Sequence, residues 1–176
     1  MDGVNETDSL VSGPATSAEP SGFEEFFRRE HARLLRALYL MTGNEQEAEE
    51  LSQEALLKVW ERWERVAVMD RPTGYLYRTA MNAFRSRYRR AARTARRILA
   101  RRVPVDEIRA AEERDAVMRS LATLSPRQRA ALVLTELLGY GSEEAAAMLD
   151  VKPVTVRVLA SQARSALRER LERDDE

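Results

Sequence analysis

Between Arg71 and Arg102 the chain carries eleven arginines and no Asp or Glu, although the whole of its 176 residues balances 29 basic side chains against 29 acidic ones. Guanidinium groups pair phosphate in a fixed fork, and an amide or a phenol ring beside them can address a base. Asn82, Tyr75 and Tyr77 supply those groups inside the same stretch. So many positive charges repel one another unless an anion joins them, so the chemistry to expect here is binding of a nucleic acid. Covalent chemistry has little to stand on. There is no cysteine, and the single histidine, His31, lies among Arg29, Arg33 and Arg36, which suits a plain helix-surface residue. No phosphate-cradling or dinucleotide glycine motif occurs, nor a nucleophile elbow; Gly139-Tyr140-Gly141 reads as a turn. The expectation is therefore no catalytic residue, no metal, no cofactor and no enzyme.

Those residues need a helix to hold them. Pro72 stands where a missing N–H costs least, and the pattern predicts a helix from Thr73 to Arg90. On it Tyr77, Met81, Phe84 and Tyr88 share one stripe, while Arg78, Asn82, Arg85 and Arg89 share another. Before it, Phe23, Phe26, Phe27, Leu34, Ala37, Leu38 and Met41 mark a helix ending at Gly43. Asn44 then caps a second helix with Glu47 as its capping-box partner, and Ala48, Leu51, Ala55, Val59, Trp63 and Val66 line one side. Its other side carries Glu47, Glu50, Gln53, Glu54 and Glu61, which on pattern alone reads as a solvated face; Trp60 and Trp63 read as packing residues.

Periodicity fails from Ala91 to Ala111 and resumes near Glu112. The expected organisation is a flexible tail (1–22), a three-helix unit (23–92), a flexible linker (93–111) and a second helical unit (112–173), each unit with its own core. In the second unit Ser125, Pro126 and Gln128 form a helix start, with that helix stopping at Gly139. Ser142 is read as the cap of a short helix to Leu149, and Pro153 opens a last helix after the turn Asp150-Val151-Lys152. A short helix, a tight turn and a longer helix is the helix-turn-helix plan. Val156, Ala160, Ala163, Leu167 and Leu171 should face inward, leaving Val154, Arg157, Val158, Ser161, Arg164 and Arg168 outward, a row suited to a major groove and its phosphates. No period-two pattern appears, so the fold class is all-α, two small helical domains. No apolar run reaches the roughly 20 residues of a membrane span, and no signal-peptide order opens the chain, so a cytoplasmic protein without membrane insertion is expected.

With both units read, the chain resembles the sigma-70 superfamily, in particular the small extracytoplasmic-function (ECF) sigma factors. The resemblance lies in Ala48-Glu49-Glu50-Leu51-Ser52-Gln53-Glu54-Ala55, in Pro72 through Asn82, and in Leu124-Ser125-Pro126-Arg127-Gln128-Arg129 through the helix-turn-helix to Arg168. It implies an RNA polymerase sigma factor that directs promoter-specific initiation. Glu50, Gln53 and Glu54 would dock on the β′ coiled coil of core RNA polymerase. Tyr75, Tyr77, Arg78, Asn82, Arg85 and Arg89 would read and open the −10 element of promoter DNA. Val154, Arg157, Val158, Ser161, Arg164 and Arg168 would read the −35 element, and the same unit would meet the β flap. An anti-sigma factor is a further partner that relatives commonly have. Ser86 stands where many relatives carry Asp or Asn, while Val158 and Leu159 stand where Ser and Arg are frequent, and Gln162 replaces another frequent basic residue. The −35 contact is then either more apolar than usual, toward thymine methyls, or weaker. The rival readings are a stand-alone helix-turn-helix regulator, with residues 23–92 for dimerisation or sensing, and an enzyme that uses the basic helix to hold its substrate.

Overall fold

Three helices begin on a proline, as the sequence predicts: Pro72, Pro126 and Pro153 each occupy the first turn, where no backbone N–H is required. The computed structural model describes residues 21–98 and 116–174. The tail through residue 20, the expected linker from residue 99 onward and residues 112–115 of the second unit lie outside the described residues; Ser21 and Gly22 already belong to a helix.

The first unit comprises α1 (Ser21–Thr42), α2 (Glu45–Trp60), α3 (Trp63–Ala67) and α4 (Pro72–Ile98). Gly43 ends α1 at φ 73°, a backbone conformation that a side chain would strain, and its N–H donates to the Tyr39 carbonyl at 2.8 Å. Asn44 caps α2 by accepting from the Glu47 N–H at 2.9 Å. The reciprocal half of the expected box is replaced, because the Asn44 N–H donates to Thr42 Oγ1 at 3.1 Å. The predicted stripe of α2 holds at Ala48, Leu51, Ala55 and Val59, all buried, but the helix stops at Trp60. Trp63 and Val66 belong instead to the short α3, which turns the Trp63 ring onto Phe23 and Phe26, at centroid distances of 5.4 and 5.1 Å. Trp60, expected in the core, is 57% exposed. Similarly α4 runs past Arg90 to Ile98, so the first residues of the expected linker are helical, and Tyr88 is more exposed than its stripe predicts.

The second unit comprises α5 (Ala116–Ala122), α6 (Pro126–Leu132), a π-helical turn (Val133–Leu137), α7 (Ser142–Leu149) and α8 (Pro153–Asp174). Both halves of the Ser125 and Gln128 capping box are present, at 3.3 and 2.9 Å. Gly139, at φ 73°, ends the π turn. The cap of α7 is Gly141 rather than Ser142, with Glu144 Oε2 accepting from the Gly141 N–H at 3.1 Å. On α8, Val156, Ala160 and Ala163 are buried and Leu167 is half-buried.

The expectation of two separate cores is corrected by the packing. A single buried cluster runs from Leu34 of α1 and Leu51 of α2, through Leu76 and Phe84 of α4, to Leu134, Ala145, Leu149 and Val156 of the second unit. Its origin is the breadth of the apolar face on α4, which rests on α2 with one flank and on α7 with the other. A smaller cluster of Met118, Leu121, Leu124, Leu132 and Ala163 closes α5 over α6 and α8.

Candidate nucleic-acid interface

Arg78, Asn82 and Arg89 fall on the solvent side of α4, as their spacing requires, and neither arginine has a hydrogen-bond or ion-pair partner among the described residues. Arg85 lies on the same row but is committed. It donates to Asp150 Oδ2 at 2.5 Å, to the Met148 carbonyl at 3.4 Å and to Asn82 Oδ1 at 3.3 Å, so it ties α4 to the turn between α7 and α8. Tyr75, half-buried at the start of α4, accepts from Arg62 Nη1 at 3.1 Å. Tyr77 does not join this face. It is 0% exposed, with its ring edge-on to Tyr140 at 5.8 Å, because 3.6-residue periodicity puts it on the packing stripe with Met81 and Phe84. Its assignment as a base-contacting residue is thus corrected to a residue of the junction between the units. Burial pushes its phenol ionisation well above the ordinary tyrosine range.

The other candidate row is the outer face of α8. Val154, Arg157, Val158, Ser161, Arg164 and Arg168 are all exposed there. Arg164 pairs with Glu136 Oε1 at 2.6 Å, whereas Arg157 and Arg168 have no partner among the described residues. Of the unusual positions, Leu159 packs against the core and so extends it, while Gln162 accepts from Gln128 Nε2 at 3.4 Å. Asp150, which ends α7 at φ 55°, makes the turn that sets α8 across α7. The two helices pack together through Ala145, Leu149, Val156 and Ala160.

On α2, Glu50, Gln53 and Glu54 share the outward side but are not equivalent. Arg87 of α4 donates to Glu50 at 2.6 Å and holds its carboxyl below the usual carboxylate range; Glu54 takes Lys58 at 2.6 Å, and Gln53 is exposed. Leu57 and Trp60, not among the residues expected on this face, continue it and are strongly exposed. Their signal was present in the spacing, since Gln53, Leu57 and Trp60 follow one another by four and three residues, off the buried stripe.

Among the described residues no helix is long and apolar enough to cross a membrane, and no cluster of His, Asp or Glu is placed to hold a metal ion. Comparison with known proteins assigns the two units separately. The sigma-70 region 2 family profile matches residues 26–94, and the profile of sigma-70 region 4 matches residues 114–167. The RNA polymerase sigma-E factor of Streptomyces avermitilis is 30% identical over 87% of this chain and 87% of its own. The ECF RNA polymerase sigma factor SigM of Mycobacterium tuberculosis is 31% identical over 92% of this chain and 83% of its own.

The chain belongs to the sigma-70 family, in its ECF group. It is an RNA polymerase sigma factor of transcription initiation, and the stand-alone regulator is not favoured. Its fold is that of the sigma factor RpoE solved with the anti-sigma factor NepR from Bartonella quintana, with a TM-score of 0.68 at 23% identity over 85% of this chain and 96% of that one. In this sigma factor region 2 contains α1 to α4 and the paired acidic face, while region 4 holds the helix-turn-helix with the uncommitted arginines of α8.

Proposed function

We propose that this sigma factor acts in the cytoplasm as the promoter-specificity subunit of RNA polymerase, dividing its DNA contacts between α4 and α8. The carrying observation is that each unit presents a solvent-facing row in which two arginines have no partner among the described residues, Arg78 and Arg89 beside Asn82 and Arg157 and Arg168 beside Ser161, while Arg85 and Arg164 on those rows are paired. It performs no covalent chemistry. Strand opening is a binding process, in which bases captured by side chains offset the few kcal/mol of unstacking. Asn82 and Tyr75 are assigned to that capture at the −10 element, and Arg78 and Arg89 to the phosphates around it. Arg85 joins them once its contact with Asp150 is exchanged for phosphate. The outer row of α8 reads the −35 element as duplex.

The outward side of α2 is assigned to the β′ coiled coil of core polymerase, with Gln53 and Glu54 as polar contacts, Glu50 held in place by Arg87, and Leu57 and Trp60 as the apolar end. Region 4 also meets the β flap. An anti-sigma factor covering these faces is a further partner, by analogy with the complex of RpoE and NepR. Run-off transcription from genomic DNA tests the assignment. Core polymerase should give discrete new starts only when this protein is added. A protein that gave none, but bound a palindromic duplex tightly without polymerase, would be the stand-alone regulator instead.

A further inference from the structure

We infer that Val154 and Val158 make the −35 contact of this sigma factor a reader of thymine methyl groups, selecting two thymines one or two base-pair steps apart. The inference rests on the assignment of α8 to the −35 element and adds the base identity that this helix selects.

The first turns of the second helix of a helix-turn-helix are the part that meets base edges. On α8 the outward residues there are Val154, Arg157, Val158 and Ser161, and two of the four have no donor or acceptor to offer. They are not spare core, because Val156, Ala160 and Ala163 already bury the inner face of the helix, while Val154 and Val158 are 53% and 48% exposed. A valine pressed against guanine O6 and N7 or a cytosine amino group would strip water from them and return no hydrogen bond. The one apolar feature on the floor of the major groove is the thymine 5-methyl, so it is the contact these side chains can gain from.

Spacing fixes the separation. Residues four apart on a helix hold their Cβ atoms about 5–6 Å apart, and successive base pairs lie about 3.4 Å apart. Two methyls in reach of both valines therefore sit on adjacent or next-adjacent pairs. Arg157 flanks Val154 on the same outward side of the helix, without a partner among the described residues, so the apolar pair comes with a cation that complements the groove and its phosphates. At roughly the value of one buried methyl group, each contact should be worth about fourfold in affinity.

The test uses holoenzyme, full-length protein with core polymerase, and a randomised duplex pool made once with thymine and once with uracil, which lacks only the methyl. The thymine pool should enrich an upstream element with thymines at two positions one or two steps apart. Rebuilding that element with uracil at either position should weaken binding about fourfold. Val158→Ser, whose helicity is checked by circular dichroism, should lose the uracil penalty at one position and keep it at the other. An enriched element indifferent to uracil, or a penalty unchanged in both Val158→Ser and Val154→Ser, would overturn the inference and leave the promoter assignment standing. If no upstream element were enriched at all, the assignment of α8 would fall, and this inference with it.

Discussion

A phenol buried at the junction without a hydrogen-bond partner costs the folded state the hydration of its hydroxyl, and Tyr77 is such a group. Tyr77→Phe should therefore hold or raise stability, by up to about 1 kcal/mol, seen as a small rise in thermal midpoint. A loss larger than that would show the hydroxyl to be hydrogen-bonded. The pH dependence has a definite sign. In the unfolded chain tyrosine releases its proton near about pH 10, whereas burial keeps Tyr77 protonated in the folded protein well above that. The unfolded state then binds fewer protons, so stability present below that pH falls as pH rises beyond it. Tyr77→Phe should flatten part of the alkaline loss; burial raises the Tyr140 phenol too, so some loss remains. Two polar side chains separate the DNA steps at the same scale. Asn82→Ala should leave closed complexes intact but slow strand opening, with a template pre-melted at the −10 element restoring much of the activity. Arg157→Ala should weaken duplex binding, lower its salt slope by about one phosphate contact, and gain less from the bubble. Equal rescue of both variants would refute the division of labour between α4 and α8.

Helix α2 shows why an element can be legible on one face and obscure on the other. Its buried stripe was readable because Ala48, Leu51, Ala55 and Val59 repeat at the helical period, and the proline starts of α4, α6 and α8 were readable because the missing N–H leaves few other places for them. The cationic row on α4 and the outer row on α8 followed from the same period. The break after Trp60 was not readable, since Trp63 and Val66 continue the pattern of α2 whether or not the chain bends between them. The bend is what brings Trp63 edge-on to Phe23 and tilted against Phe26 of α1. With Trp60 left outside, the polar face acquires an apolar end, and docking becomes testable in two ways. Glu50→Lys with Glu54→Lys disrupts two exposed ion pairs, which contribute little to folding, so helical content should stay near wild type while co-purification with core polymerase falls. Leu57→Ala with Trp60→Ala should do the same with the charges intact. Undiminished co-purification of both folded variants would remove α2 from the interface.

The junction between the units belongs to the whole molecule, and it was illegible because periodicity reports which face of a helix is apolar, not which neighbour covers it. Tyr77 sits on the apolar stripe of α4 in either case; its contact with Tyr140 makes it a residue of the junction. Among the described residues two ion pairs cross there, Arg71 to Glu144 and Arg85 to Asp150, and Arg33 donates to the Leu138 carbonyl at 3.5 Å. Magnitudes decide which of these holds the units together. Each pair keeps one partner largely in solvent and is worth about 0–1 kcal/mol, whereas truncating a packed aromatic ring costs up to about 3 kcal/mol even when it is only partly buried. Arg71→Ala with Asp150→Asn removes both pairs, spares Glu144 as the partner of the Gly141 N–H and keeps a residue tolerant of the left-handed backbone at position 150. Tyr140→Ala should therefore enlarge the radius of gyration and speed amide exchange along the α7-facing side of α4 more than the double variant does. The double variant should instead release Arg85 with little change in dimensions. A double variant that expanded as much as Tyr140→Ala would mean that charge, not the shared apolar core, closes the two units on each other.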